Sequence, residues 1–273
     1  MNEILKTLLF SSLVLLVLGA LFGIMLGYFK SVFKVEVDPK VELIMTALPG
    51  VNCGGCGFSG CINFAENLAS GKAKINSCRA GGATTLDALS KILGTGLSEK
   101  FEVKYAFAIC QGGTAEAVKS SQTQLGITCK QAKQLKLDDK LCRFSCLGYG
   151  DCVTDCPFDA IVMSKNRLPI IDPKKCTSCG ICVSQCPRNI LELIPEKKIV
   201  ITLCRNENSA SFVKQTCSVG CITCLACEKK CPTKAITMVN KLPIIDMNLC
   251  NLCGICIEVC PTKSIVLIPS GEK

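Results

Sequence analysis

Two runs of cysteine carry the chemistry that this sequence could perform, CITCLACEKKCP at 221–232 and CNLCGICIEVCP at 250–261. In both runs the gaps between cysteines are two, two and three residues, and a proline closes the run. Thiolates packed this tightly suit one polynuclear metal centre, whereas disulfide frameworks scatter their cysteines. The spacing therefore predicts iron–sulfur clusters that pass single electrons.

The composition supports metal clusters over other chemistry. The 273 residues include 24 cysteines but no histidine, so the usual zinc ligand and the usual general base are missing, which argues against a hydrolase or a catalytic zinc site. The formal charge is +9. Each oxidised four-iron cluster with its thiolates adds about −2, so six would give a net charge of about −3. The lysine excess therefore does not indicate nucleic-acid binding; it offsets the clusters and suits docking of an acidic protein.

An uncharged run at residues 7–29 is long enough to cross a lipid bilayer. Lys6 precedes it and Lys30, Lys34 and Lys40 follow it, which favours a cytoplasmic C-terminal side. A cleaved signal peptide is the alternative, but the run is long, no small-residue cleavage site follows it, and the segment before it holds Glu3 and a single lysine. We therefore expect a single-pass anchor in the cell inner (cytoplasmic) membrane.

A glycine-rich segment, VNCGGCGFSGC, follows the anchor and its connector. With one cysteine further on, it supplies four ligands for one compact cluster: Cys53, Cys56, Cys61 and Cys78. The glycines let the backbone wrap closely and direct N–H groups at sulfur. Zinc remains possible from the spacing alone.

The stretch between this segment and the repeated motifs predicts local elements. TTLDALSKILG reads as a helix with threonine at its start and Gly94 at its end. FEVKYAFAI alternates as a strand, with Phe101 and Tyr105 on one side, and runs into Cys110; KIVITLC is a second strand-like run that ends in Cys204.

The sequence also repeats internally. Residues 156–195 and 231–269 align with one residue dropped, and both contain LPIID. Each copy resembles a bacterial-type ferredoxin module with two four-iron clusters, in which the fourth cysteine serves the other cluster. For the second copy the resemblance implies two ligand sets: Cys221, Cys224, Cys227 and Cys260 in one, and Cys250, Cys253, Cys256 and Cys231 in the other.

The first copy departs from this pattern, because its leading cysteines are spaced by three, five and three residues. Its expected ligand sets are Cys142, Cys146, Cys152 and Cys186, and Cys176, Cys179, Cys182 and Cys156.

Four cysteines remain, Cys110, Cys129, Cys204 and Cys217. They could be buried thiols that act as small hydrophobic side chains. If the two predicted strands pair, all four could instead converge on a further cluster, and the first ferredoxin module would be inserted between the halves of that site. We therefore expect five [4Fe-4S] clusters and a sixth at these four cysteines.

A single membrane helix, CGGCGFSGC with Cys78, CPFDAIVM and doubled ferredoxin motifs, in this order, resemble the B subunit of the Rnf complex. The resemblance implies a component of a membrane-bound ferredoxin:NAD oxidoreductase that translocates sodium ions or protons. Such a component accepts electrons from soluble ferredoxin on the cytoplasmic side and passes them to other membrane and flavin subunits, and finally to NAD. It has no organic active site of its own. The alternatives are a polyferredoxin component of another membrane oxidoreductase, such as a hydrogenase or dehydrogenase complex, and a zinc scaffold without redox function.

The expected fold is α+β: one N-terminal transmembrane helix, a small 4Fe-4S domain and two 2[4Fe-4S] ferredoxin modules, the first inserted in a small α/β region. The expected limits are 1–30 for the anchor, 31–48 for a connector with a hinge, 49–82 for the N-terminal cluster domain, 83–135 and 197–217 for the α/β region, and 136–196 and 218–273 for the two modules. Lysines of the second module are expected to face the donor: Lys229, Lys230, Lys234, Lys241 and Lys263. A merely solvated surface is the alternative.

Overall fold

The computed structural model describes residues 2–32, 38–95, 103–120 and 126–270. They fall into two compact units, divided between Glu42 and Leu43. Helix α1, Asn2–Val32, contains the apolar span Leu8–Phe29, which has exposed side chains along its length and is long enough to cross a bilayer. Helix α2, Pro39–Ala47, occupies part of the predicted connector. Residues 33–37 of that connector, where the sequence predicts a hinge, lie outside the described residues.

The N-terminal cluster domain is built on short helices. Helix α3, Cys61–Ala69, buries Phe64, Ala65 and Leu68, and a 3-10 turn follows at Ile75–Ser77. Helix α4, Gly82–Leu93, confirms the predicted helix and ends at Gly94, which has a left-handed backbone. The predicted threonine cap is wrong, because α4 begins earlier: Gly81 is the N-cap residue, and the threonines lie inside the helix.

Each ferredoxin module is a strand, two short helices around a hairpin, and a closing strand. The first has β1 Lys104–Ala108, α6 Asp151–Thr154, β2 Ile161–Met163, β3 Pro169–Ile171, α7 Ile181–Gln185 and β4 Leu191–Pro195. The second has β5 Ile199–Thr202, α9 Ala226–Lys230, β6 Ile236–Val239, β7 Leu242–Ile245, α10 Ile255–Glu258 and β8 Ile265–Ile268. In both, the hairpin strands pair with each other. The structure therefore shows the duplication that the sequence repeat predicts.

The first strand of each module pairs antiparallel with the last strand of the same module. Tyr105 of β1 lies opposite Ile194 of β4, and Ile199 of β5 lies opposite Ile268 of β8. The expectation that the two strands before Cys110 and Cys204 could pair with each other is therefore wrong. All four of these strands carry buried apolar residues, so each strand is held by its own module. Phe101, assigned to the first strand from sequence, lies outside the described residues.

The two modules share an apolar core. Tyr105, Ile194, Ile199 and Ile268, one from each of the four outer strands, form a buried cluster. The opposite face of β1 contributes Ala106 to the core of the first module, together with Ile161 and Leu191. Strand β1 is therefore buried on both faces, which a strictly alternating pattern does not predict.

Two further helices position the remaining cysteines. Helix α5, Cys129–Gln134, begins at a capping box between Thr128 and Gln131. Helix α8, Ala210–Thr216, begins at Ser209, whose hydroxyl accepts the Phe212 N–H. The segments around the first module also meet directly, since Ala117 and Cys217 form an antiparallel bridge.

Candidate iron–sulfur centres

The first quartet of cysteines lies in the N-terminal cluster domain. Its members are Cys53, Cys56, Cys61 and Cys78, which line one hollow of about 330 Å³. The Asn52 side chain accepts the Cys61 N–H at 2.8 Å, and Gly54 and Gly57 adopt the left-handed backbone that glycine favours. The loop thereby folds its cysteines around a common centre. Gly55 to Gly60 also has the glycine spacing of a dinucleotide-binding loop, but it follows helix α2 rather than a strand and wraps these sulfurs instead.

The second quartet lies in the first ferredoxin module. It has the four members that the ferredoxin pattern predicts, and they line a hollow of about 320 Å³: Cys156, Cys176, Cys179 and Cys182. The Ala106 N–H of strand β1 donates to the Cys176 sulfur at 3.4 Å. The pairing of β1 with β4 therefore also supplies a backbone donor to this quartet.

The third and fourth quartets correct the predicted grouping. The third consists of Cys129, Cys146, Cys152 and Cys186, around a hollow of about 400 Å³. The fourth consists of Cys110, Cys142, Cys204 and Cys217, around a hollow of about 350 Å³. The sequence prediction places Cys142 in the third quartet and Cys129 in the fourth, and the structure exchanges the two.

An aspartate explains why Cys129 joins the third quartet. Asp151 accepts the Cys129 N–H at 2.7 Å and the Lys130 N–H at 3.2 Å, so it caps the start of helix α5. Asp151 is also the residue before Cys152. One carboxylate therefore fixes Cys129 beside a member of the third quartet.

A buried asparagine and a tight turn explain why Cys142 faces the fourth quartet. The Ser145 N–H and hydroxyl both donate to the Cys142 carbonyl, at 3.1 and 2.7 Å, so the chain turns between Cys142 and Cys146. The Asn206 side-chain amide donates to the Cys142 sulfur at 3.3 Å. The widened spacing of the first copy is the one sequence signal that could have revealed this departure.

The fifth and sixth quartets lie in the second module, with the predicted members. The fifth lines a hollow of about 310 Å³: Cys221, Cys224, Cys227 and Cys260. In the sixth, Cys256 has as its electrostatic neighbours Cys250, Cys253 and Cys231. Cys227 and Cys256 share a buried core with Val200 and Ile236. The two quartets are therefore back to back.

Burial changes the acidity of many of these thiols. It raises the pKa of Cys142, Cys146 and Cys152 to about 12, and the charges of neighbouring cysteines act in the same direction. Without metal, such thiols hold their protons at neutral pH. A metal that binds them must displace those protons, as thiolate-ligated centres do.

The donor set of each quartet favours a polynuclear centre over a single zinc ion. A tetrahedral zinc site holds its thiolates about 3.8 Å apart, as follows from a Zn–S distance of about 2.3 Å. Within the described ranges, no three ligating side chains converge closely enough for a single metal ion. Each hollow of the second, third and fifth quartets is instead lined by four cysteines, mainly from ferredoxin-type motifs, a donor set that suits a polynuclear centre with one thiolate at each corner.

Neighbouring quartets touch in the first half of the molecule. A Cβ on Gly55, in the first quartet's loop, would lie 2.3 Å from the carbonyl oxygen of Cys179 in the second. Cys152 of the third quartet lies close enough to Cys182 of the second for their thiolate charges to repel each other. The first three quartets are therefore consecutive neighbours.

The series of quartets continues into the second module. Cys146 of the third quartet lies close enough to Cys110 of the fourth for their thiolate charges to repel each other. The Cys204 thiol of the fourth has a backbone hydrogen bond from Cys221 of the fifth. With the back-to-back fifth and sixth quartets, all six are connected from neighbour to neighbour through residues 53–260.

Three protein-family models match separate parts of the chain. They are described as "Putative Fe-S cluster" for residues 48–80, and "4Fe-4S dicluster domain" for residues 141–191 and again for residues 220–264. The fold, the quartets and these matches define an iron–sulfur protein with two dicluster ferredoxin domains and a candidate membrane helix.

Known relatives give the family. The chain is 41% identical over 237 residues to the B subunit of the Na(+)-translocating ferredoxin:NAD(+) oxidoreductase complex of Acetobacterium woodii, a match that covers 87% of this chain and 71% of the relative. It is 37% identical to the B subunit of the ion-translocating oxidoreductase complex of Methanosarcina acetivorans, over 87% of this chain and 89% of the relative. It is also 37% identical to the B subunit of the proton-translocating ferredoxin:NAD(+) oxidoreductase complex of Clostridium ljungdahlii, over 91% of this chain and 87% of the relative. The chain belongs to the family of B subunits of the ion-translocating oxidoreductase (Rnf) complexes.

Proposed function

We propose that this protein carries electrons from reduced ferredoxin through six [4Fe-4S] clusters to the membrane and flavin subunits of an Rnf complex, and so to NAD. The observation that carries the proposal is the connected series of six cysteine quartets. Electrons hop efficiently only between centres that are close together, and each quartet adjoins the next. Two relatives are named as ferredoxin:NAD(+) oxidoreductase subunits, which supports ferredoxin as the electron donor and NAD as the final acceptor.

The 24 cysteines are the proposed ligands, four for each cluster, in the six sets described above. A bound cluster supplies reversible one-electron chemistry. The chain's own contribution is to hold the sulfurs, to donate hydrogen bonds to them and to exclude water. Examples are the Ala106 N–H on Cys176 and the Ser264 N–H on Cys260, at 3.4 and 3.3 Å. Such donors favour the more negative, reduced state of a cluster.

A buried lysine offers an independent test of whether the residues fit an anionic cluster. Lys140 is 1% exposed, and its ammonium donates to the Cys146 carbonyl at 2.7 Å. A buried ammonium without a counter-charge costs several kcal/mol. A four-iron cluster with its thiolates carries about −2 and supplies that counter-charge, so the third quartet fits the group.

Ferredoxin is proposed to dock at the second module. Five lysines there are exposed: Lys229, Lys230, Lys234, Lys241 and Lys263. The same module exposes Cys253, a member of the sixth quartet, beside the exposed Leu252. A basic surface with a thinly covered terminal centre suits an acidic redox protein. The first quartet, nearest the anchor in sequence, is then the exit.

The proposed location follows from the apolar helix and its flanking lysines: a single pass through the inner membrane, with the cluster domains on the cytoplasmic side. The proposed domain limits are those given by the sequence, except that β1 joins the first ferredoxin module and β5 joins the second. The α/β region is then reduced to the segments that carry the fourth quartet and helices α5 and α8.

Anaerobic isolation of the full chain tests the proposal. We expect about 24 irons and as much sulfide per chain, a brown colour, and reduction by an excess of reduced ferredoxin. In a complex with its partner subunits, that reduction should produce NADH. A colourless, zinc-loaded protein would refute the proposal, and so would iron centres that reduced ferredoxin does not reduce.

A further inference from the structure

Lys140 is a buried ammonium with no carboxylate ion pair in the part of the chain that the structure describes. Only 1% of the residue is exposed. The acidic residue beside it, Asp139, pairs with Arg167 at 3.1 Å. The hydrogen bond from the Lys140 ammonium goes to the main-chain carbonyl of Cys146, which is neutral. The positive charge of Lys140 is therefore held in the protein interior next to one cysteine of the third quartet.

The position of Lys140 is imposed by the fold. Lys140 and Lys119 form an antiparallel bridge, and the neighbouring Leu141 N–H donates to the Val118 carbonyl at 3.0 Å. Two residues after Lys140 the chain reaches Cys142 of the fourth quartet. The ammonium thus lies at the junction between the third and fourth quartets, in the middle of the series.

The acidity of the Cys146 thiol also indicates that the Lys140 charge acts on the third quartet. Burial raises the pKa of Cys146 to about 12, while the charge of Lys140 opposes this shift. Lys140 therefore stabilises negative charge at Cys146. In a low-dielectric interior such an interaction is strong, because little solvent screens it.

We propose that Lys140 is a positioning charge that raises the reduction potential of the centre held by Cys129, Cys146, Cys152 and Cys186. The inference rests on the proposed function. One electron from a neighbouring reduced centre adds one negative charge to this cluster, and no ligand bond forms or breaks. The fixed ammonium stabilises the reduced state of this cluster more than its oxidised state. An electron therefore stays longer on this cluster than it would if residue 140 were neutral.

The test compares Lys140→Gln with Lys119→Gln in the anaerobic full chain. Glutamine keeps a donor for the Cys146 carbonyl and removes the charge. Lys119→Gln removes the same charge at the bridged but exposed position, where water screens it. The readout is a redox titration followed by electron paramagnetic resonance. The signal of the third centre is identified by its loss in Cys129→Ala.

In Lys140→Gln the reduced-to-oxidised ratio of this centre at a fixed applied potential should fall by about tenfold, which is about 59 mV for one electron. Lys119→Gln should leave the ratio unchanged. An unchanged ratio in a fully loaded Lys140→Gln protein would overturn the inference.

Iron content separates the remaining outcomes. If Lys140→Gln loses this cluster but Lys140→Arg keeps it at the wild-type potential, the charge is required and the inference holds. If the arginine variant loses the cluster as well, the fit of the side chain rather than its charge determines whether the cluster is held, and the inference fails. Absence of a redox-active centre from the wild-type chain would instead contradict the proposed function.

Discussion

Single hydrogen bonds determine which quartet a cysteine joins. The sequence prediction exchanges Cys129 and Cys142, because spacing along the chain is the only guide to their partners. In the structure, Asp151 holds the Cys129 backbone, and Asn206 reaches the Cys142 sulfur. Neither contact leaves a local pattern in the sequence, because each joins residues far apart in the chain. Cysteine type and spacing therefore predict candidate ligands, but not every grouping.

Asn206 is expected to tune the fourth centre. It is 2% exposed, and its oxygen accepts the Asn208 N–H at 3.0 Å, which orients its amide N–H toward Cys142. Asn206→Leu keeps much of the volume but removes a donor to sulfur. The potential of this centre should fall, with the reduced fraction dropping severalfold at a fixed applied potential in a titration. Asn208→Ala is the control, because its backbone N–H stays in place; an equal shift there would contradict the assignment.

At the level of elements, the sequence predicts strands better than it predicts their partners. The alternating pattern of FEVKYAFAI correctly indicates β1, and the run KIVITLC indicates β5. A strand pattern does not show which strand lies opposite, and for β1 it also misses that both faces are buried. Strand β4 pairs with β1 and strand β8 pairs with β5, so each module closes around its own core. Each repeated copy therefore includes a strand that precedes its cysteine motif, β1 in the first and β5 in the second.

Double cysteine variants distinguish the observed quartets from the predicted ones. Cys110→Ala with Cys142→Ala should lose about four irons, because both belong to the fourth quartet. Cys142→Ala with Cys146→Ala should lose about eight, because these belong to different quartets. The grouping predicted from sequence would instead give a loss of about eight irons in the first double variant and about four in the second. Iron quantitation after anaerobic isolation decides between them, and single variants show that each substitution alone removes one cluster.

The junction between the first and second quartets depends on a glycine. Any Cβ at Gly55 would collide with the Cys179 backbone, so Gly55→Val must push the two segments apart. We expect the iron content to stay unchanged, while hydrogen exchange near Gly180 rises and the magnetic coupling between the two reduced centres weakens.

Ser59→Val is the matched control for that substitution, since Ser59 is exposed in the same loop. If both variants weaken the coupling equally, the close approach at Gly55 is not what sets it.

At the scale of the whole molecule, the chain consists of an apolar helix and a separate compact unit that carries all 24 cysteines. The sequence predicts helix α1 from the length of its apolar run alone, because a helix that spans a bilayer needs about 20 consecutive apolar residues. The series of six quartets could not be predicted in the same way. It depends on contacts such as Gly55 with Cys179, between segments that lie far apart in the sequence.

Removal of the apolar helix α1 should leave the cysteine-bearing unit intact. A chain that lacks residues 1–37 retains helix α2 and the whole of residues 43–273. It should remain in the supernatant after ultracentrifugation, with the same iron per chain as the detergent-solubilised full-length protein. Sedimentation of the truncated chain with membranes would show that another surface binds lipid.

The fourth quartet has a mechanical consequence as well. Cys110 and Cys142 come from the side of the first module, and Cys204 and Cys217 come from the side of the second. A cluster bound there acts as a cross-link that closes a long loop of chain, and such closures restrict the unfolded state most. Oxygen damage to that cluster would therefore interrupt electron transfer and remove one cross-link, leaving the two modules held together by their shared apolar core.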